Sequence, residues 1–343
     1  MAQKPSVGIA AYGIYIPDNW MTAEDVANAT KGQWTAQAVK DNLGFNKKAI
    51  PGKDDGTQEM GVKAGLDCLK RFNYDPLKID VILCIGEEWK EYPLTTSGIY
   101  IQEKIGAKNA WAIDVQQRCC TQVAAMKMAQ DMLIADDEIN SVMIVGGYRN
   151  GDFLDYTNPL VSMMFNLGAG GCAMILEKNL NKNLLLGTHL MSDGSLARDA
   201  GVRIGGIAEP ISAKNLDKAY NTLDLMDAEH MKNRLNDISL PNWFHCIDES
   251  LRKSGKKRSD ISYLAVLHFK YSMHKYMLEQ LGLKEDQTTY LSEYGHIGQI
   301  DQVLSLHLGL ESGKIKDGTV VCMIAAGIGY AWAANIIQWG PAK

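Results

Sequence analysis

Residues 110–133 read AWAIDVQQRCCTQVAAMKMAQDML. The run Ala112-Ile113-Asp114-Val115 has strand character, Gln116-Gln117-Arg118 is a short polar link, and the stretch from Thr121 onward is rich in Ala and Met at helical spacing. Strand, turn and helix therefore follow in quick succession, with Cys119-Cys120 at the helix N-terminus. Orphan backbone N–H groups and the positive end of the helix dipole favour thiolate over thiol at such a position. Cys119 is thus a candidate nucleophile. A cysteine beside a buried helix can equally be a small hydrophobe, and these residues alone leave both roles open.

The same alternation continues outward in both directions. Apolar runs of strand length lie at Val7–Ala11, Val81–Ile85, Ala110–Val115, Ser141–Val145, Cys172–Leu176, Leu184–Leu190, Tyr263–His268, Val320–Ala325 and Trp332–Ile337. Helix-period segments fall between several of them, at Met60–Phe72, Thr96–Ile105, Thr121–Ile134, Trp243–Ser254 and Ser272–Leu281. Strand-helix alternation of this kind makes α/β layers. The pattern occurs twice, with polar Asn179–Asn183 as the seam, which sets expected halves at 1–180 and 181–343. Nine prolines are scattered and no low-complexity linker intervenes, so the halves are expected to pack as one body.

With 343 residues, 46% hydrophobic and 22% charged, the chain can bury a large core without disulfides or metal. Thirty-five Lys and Arg against forty Asp and Glu give a net charge of −5, and the one basic stretch, Lys253–Arg258, reads as a solvated turn; nucleic acid is not an expected partner. Seven cysteines, mostly in apolar runs and without CxxC or zinc-type spacing, point to a reducing cytoplasm and no metal site. Met1 to Ser6 lacks the charged-then-apolar pattern of a signal peptide. Gly318 to Ala342 is uncharged and long enough to span a bilayer, but Gly327-Ile328-Gly329 splits it and Lys316-Asp317-Gly318 signals a turn before it. It reads as two buried strands joined by a glycine turn, with no membrane association.

Three further elements can carry chemistry. Tyr263–His268 delivers His268 at the C-terminal end of a strand, where α/β sites gather. His296 sits between glycines in Glu293-Tyr294-Gly295-His296-Ile297-Gly298, after an expected short strand at Thr288–Leu291. Gly86-Glu87-Glu88-Trp89-Lys90 puts two carboxylates after the strand Val81–Ile85. Neither Gly168-Ala169-Gly170-Gly171 nor Gly327-Ile328-Gly329 has nucleotide-binding spacing, and no Walker motif is present.

The order of these elements resembles the thiolase-superfamily condensing enzymes, in particular β-ketoacyl-acyl-carrier-protein synthase III and archaeal or bacterial HMG-CoA synthase. The resemblance spans the chain: Val7-Gly8-Ile9 to Tyr15-Ile16-Pro17, Asp55-Gly56-Thr57 with Met60-Gly61, Phe165-Asn166-Leu167-Gly168-Ala169-Gly170, Met226-Asp227, and the terminal Gly327-Ile328-Gly329-Tyr330-Ala331-Trp332. It implies a five-layer αβαβα thiolase-like α/β fold of two pseudo-duplicated halves, the first carrying the nucleophile and the second both histidines, and a homodimer. It further implies acyl transfer from a CoA or carrier-protein thioester to Cys119, then Claisen condensation to a β-ketoacyl thioester or its thiolytic reversal. No cofactor is implied beyond the CoA thioester, which is substrate.

By the same resemblance His268 holds the second thioester and His296 stands where synthase III carries asparagine. The amides of Cys119 and Gly329 form the oxyanion hole, and Trp34 stacks on adenine. Glu88 falls on the catalytic glutamate of HMG-CoA synthase, so an alternative is an aldol-type condensation with Glu88 as acid and base. Tyr271 replaces a substrate-binding asparagine, Leu160 replaces a CoA-binding arginine, and the usual Gly-Asp-Gly-Ala-Gly reads Asn166-Leu167-Gly168-Ala169-Gly170. These departures motivate a third possibility, a subunit of a multi-protein acyltransferase with little activity alone, paired with a thiolase and a small OB-fold/zinc-ribbon protein.

Overall fold

Strands that are apolar on both faces become central strands, because only a sheet covered on both sides removes every side chain from water. In the computed structural model, which describes residues 4–342, all four residues of Val81–Cys84 and all eight of Ser141–Tyr148 are buried. Met1 to Gln3, on which part of the N-terminal expectation falls, lie outside the described residues.

The first half runs β1 (Val7–Tyr15), β2 (Asn19–Thr22), α1 (Ala23–Ala29), α2 (Ala36–Leu43), β3 (Lys47–Ile50), α3 (Thr57–Phe72), β4 (Val81–Cys84), α4 (Ser97–Ile105), β5 (Trp111–Asp114), α5 (Thr121–Ala135), β6 (Ser141–Tyr148) and β7 (Gly170–Lys178). The second runs β8 (Lys182–Ser192), β9 (Ala200–Val202), β10 (Leu223–Leu225), α6 (Ala228–Lys253), β11 (Tyr263–Val266), α7 (Tyr271–Leu281), α8 (Asp301–Glu311), β12 (Val320–Gly327) and β13 (Ala331–Pro341).

Nine strands are linked in the order β11-β12-β13-β8-β1-β7-β6-β4-β5. Outward from the β1/β8 junction the two sides repeat one pattern. β1–β7 and β7–β6 are antiparallel and β6–β4 and β4–β5 parallel; likewise β8–β13 and β13–β12 are antiparallel and β12–β11 parallel. The counterpart of β5 is reduced to a single parallel bridge, Leu264 to Thr288, so the strand expected at Thr288–Leu291 is not formed.

Helices α3 and α4 cover the outer face of the first half, and α6 that of the second, while α5 and α8 touch strands of both halves and form the middle layer. That is the expected five-layer arrangement. A middle helix has no water-facing side, so its sequence shows little apolar stripe; seven of the eleven residues of α8 are buried, including the polar Asp301, Gln302 and Ser305. The sequence pattern accordingly misses α8, and it places only the last part of α6, whose earlier turns are largely exposed around Pro241. Among the described residues no helix is long and apolar enough to cross a membrane; Gly318 to Ala342 forms β12 and β13, joined by the expected turn.

Candidate active site

The two middle helices bring their N-termini together at the junction of the halves. Cys119 lies in the one-turn 3-10 segment Arg118–Cys120 that leads directly into α5, and Asp301 is the first residue of α8. Arg118 takes a left-handed backbone (φ 50°), which turns the chain sharply from β5 into the helix. The end of β12 presses on this turn: a side chain at Gly327 would meet Gln117 O at 3.0 Å and the Cys119 nitrogen at 3.1 Å and would crowd it.

Cys119 Sγ lies 3.2 Å from His296 Nε2, and His296 Nδ1 lies 2.6 Å from Asp301 Oδ2. All three are buried. Asp301 also accepts the backbone N–H of His268 at 2.7 Å and that of Ile297 at 2.8 Å, which leaves it one orientation. Burial works against a charge on His296, but the Asp301 carboxylate and the Cys119 sulfur outweigh it and raise its pKa well above the usual histidine value. The result is a cysteine, histidine and aspartate in line, with two positive helix ends alongside. Cys120 faces away, Sγ to Ala331 O at 3.3 Å, and burial raises its thiol well above the normal range, so it is inert packing.

His268 is differently arranged. Its Nδ1 accepts from the Asn166 amide at 3.1 Å, so its proton sits on Nε2 and is donated to Gly44 C=O at 3.1 Å. The ring stacks on Tyr290, and burial drives its pKa down to about 4. Both nitrogens of this neutral imidazole are therefore committed to protein partners, and its link to Cys119 runs through Asp301.

Glu88 is not brought into the site. Its side chain is 70% exposed and bonds only the Arg118 Nη2 at 3.1 Å, whereas that of Glu87 is 2% exposed and bonds Arg118 Nη1 at 2.9 Å. Successive side chains of an extended segment point to opposite sides, so a one-residue difference exchanges the buried carboxylate for the solvated one. Burial raises the Glu87 pKa, opposed by Arg118 and Asn150.

Trp34 is half-buried, edge-on to Phe165 with ring centroids 6.3 Å apart. Tyr271 opens α7 with its hydroxyl on Glu285, 2.7 Å away, and its ring against Tyr290. Gly329 lies in the β12–β13 turn with φ 111°. Leu160, where the family has arginine, is exposed. A cavity of about 670 Å³ is lined by Lys31, Arg203 and Lys218 and equally by Asp155, Asp217 and Asp224.

Sequence reasoning missed Asp301 and Lys48, and it quoted Asn166 and Glu87 without giving either a role of its own. Lys48, on β3, is fully buried and donates to Tyr156 Oη at 2.7 Å and to Phe165 O and Leu167 O, both at 2.8 Å. It thereby clamps both sides of Asn166, whose carbonyl accepts the His296 N–H at 2.8 Å. Burial lowers its pKa to about 7. The only sequence signal for Asp301 is its place five residues after His296.

Residues 113–194 match the 3-oxoacyl-[acyl-carrier-protein] synthase III family, and residues 251–339 match that family's C-terminal region. The chain is 25% identical over 334 residues to β-ketoacyl-[acyl-carrier-protein] synthase III 2 of Halalkalibacterium halodurans, covering 96% of each. It is 23% identical over 330 residues to the β-ketoacyl-[acyl-carrier-protein] synthase III of Sulfurovum, covering 95% of this chain and 94% of that one. Among solved structures, 3-oxoacyl-[acyl-carrier-protein] synthase III from Aquifex aeolicus superposes with a TM-score of 0.82 at 19% identity, over 97% of this chain and 100% of that one.

Fold and matches together place the chain among the condensing enzymes of the thiolase superfamily. Within them it belongs to the ketoacyl synthase III type: an acyltransferase that forms a β-ketoacyl thioester by Claisen condensation.

Proposed function

We propose that the condensation runs through an acyl-Cys119 intermediate with a CoA thioester as acyl donor. The observation that carries this is the Cys119–His296–Asp301 line at 3.2 and 2.6 Å. A cationic His296 and the α5 N-terminus both stabilise a Cys119 thiolate. The thiolate attacks the thioester carbonyl, the amides of Cys119 and Gly329 receive the oxyanion, and His296 protonates the departing CoA sulfur. Glu87 holds Arg118 and with it the turn that carries Cys119.

Intact-mass spectrometry after incubation with acetyl-CoA tests the proposal: one acetyl adduct on the wild type and none on Cys119→Ala supports it, and an adduct retained in Cys119→Ala overturns it. The chain works as a homodimer through β5, an edge strand that exposes Trp111 and Ile113. Trp111→Glu should then yield monomer in sedimentation, and an unchanged oligomeric state would refute this.

A further inference from the structure

We propose that Lys48 is a positioning residue for the condensation: acting through Asn166, it decides which ring nitrogen of His268 carries the proton and fixes the backbone at His296. This deepens the acyl-Cys119 reading above, on which its kinetic arm rests. Lys48 is fully buried, yet none of the groups its ammonium meets is charged: they are the Tyr156 hydroxyl and the carbonyls of Phe165 and Leu167. Taking a charge out of water without a counter-charge is costly, and an apolar side chain would fill the same space without that cost. What the ammonium adds is three N–H donors, one for each acceptor. The Tyr156 hydroxyl hydrogen is directed to the Met21 sulfur at 3.5 Å, so its oxygen is the accepting atom.

The two clamped carbonyls flank Asn166, and the segment they belong to grips both histidines. Asn166 C=O accepts the His296 N–H and Gly168 N–H donates to His296 C=O, each at 2.8 Å, while the Asn166 side-chain amide donates to His268 Nδ1 at 3.1 Å. Gly295, at φ 72°, lets the chain close here: a side chain on it would lie 2.6 Å from Asn166 O and 2.7 Å from Lys48 Cβ.

The two histidines do not depend on the clamp equally. His296 is held a second time, through Nδ1, by Asp301. For His268, the Asn166 amide supplies the hydrogen bond at Nδ1, and that bond keeps the proton on Nε2, where Gly44 C=O receives it. An Asn166 free to turn away would open the Nδ1–H form and leave Gly44 C=O without its donor. Lys48 itself is enclosed by protein, so its loss changes the histidines and not a substrate contact. It should lower kcat with little change in KM.

The test combines kinetics with nuclear magnetic resonance of histidine-selectively 15N-labelled enzyme, in which His268 is identified among the seven histidines by the signal lost in His268→Gln. Wild type should show His268 with a protonated Nε2 and a bare Nδ1. In Lys48→Met, or in Lys48→Gln should the first not fold, the two nitrogens should average toward a tautomer mixture, and kcat should fall by about tenfold or more with KM for either thioester within about threefold. Lys48→Arg, which supplies donors to both carbonyls, should restore the His268 signals and most of kcat. Lys48→Met added to Asn166→Ala should cost little beyond Asn166→Ala alone, because the one acts through the other. Wild-type His268 signals and kcat in a Lys48 variant whose denaturation midpoint has dropped would overturn the proposal and leave Lys48 a purely structural residue, as would fully additive losses in the double variant. The resonance arm needs no substrate, so a missing acetyl adduct on the wild type would count against the acyl-Cys119 reading alone.

Discussion

Replacing Asp301 by Asn removes one negative charge from behind His296 and leaves the shape of the side chain nearly unchanged. Asp301 accepts three hydrogen bonds, His296 Nδ1–H and His268 N–H on Oδ2 and Ile297 N–H on Oδ1. An Asn oxygen can serve the Oδ2 pair or the Ile297 side, and the Oδ2 orientation keeps two of the three. What is then lost is the charge-assisted character of the His296 bond, worth about 1.5–3 kcal/mol against about 1 for a neutral bond. The difference corresponds to roughly a 2- to 30-fold loss of the imidazolium form. The His296 pKa would fall back toward ordinary histidine values, so less of the imidazolium would face the Cys119 sulfur at neutral pH. The assay is iodoacetamide alkylation of Cys119 as a function of pH. Wild type should react fast across the neutral range, whereas Asp301→Asn should react about tenfold slower at pH 7 and converge on wild type at alkaline pH. Overlapping profiles would refute the idea that Asp301 charges His296.

Other outcomes follow from the same geometry. Glu88→Gln should leave condensation within about twofold of wild type, as expected for an exposed ion pair, while Glu87→Ala should slow Cys119 acylation by tenfold or more as buried Arg118 contacts are lost; acylation assays on the two variants decide it. Lys48→Met leaves two carbonyls and a tyrosine hydroxyl without their donor, at roughly 1–3 kcal/mol for each buried orphan. Its denaturation midpoint should drop well below that of Lys48→Arg. Burial holds the pKa of His268 and of His274 at about 4, against about 6.5 when unfolded. The unfolded chain therefore binds more protons between these values, so their contribution is complete above pH 6.5 and is lost as pH falls toward 4, on the order of 3 kcal/mol for each ring. Denaturant midpoints at pH 7 and pH 4.5 should show this decline, with a smaller one in His274→Phe.

The central strands were legible because strands covered on both faces, such as β4, β6 and β12, read as unbroken apolar runs. Cys119 was legible from its strand-turn-helix setting. Helix α8 was not, since a helix buried all round shows no amphipathic stripe, and Asp301 at its start is a carboxylate whose three partners all come from the surrounding fold. Lys48 reads as a surface residue until Tyr156, Phe165 and Leu167 close over it. The choice between Glu87 and Glu88 turned on one residue of register in an extended loop. His268 and His296 were both singled out, but only the fold shows that His296 faces the sulfur while His268 is tied to Gly44 and Asn166.

The most direct test of the account is a single-turnover chase: acetyl-Cys119 enzyme, freed of CoA, is mixed with a second acyl-CoA and quenched at intervals. Loss of the acetyl group from Cys119 in step with the appearance of a β-ketoacyl-CoA containing it is the predicted result. Release of the acetyl group as free acetate, with no carbon–carbon bond formed, would contradict it.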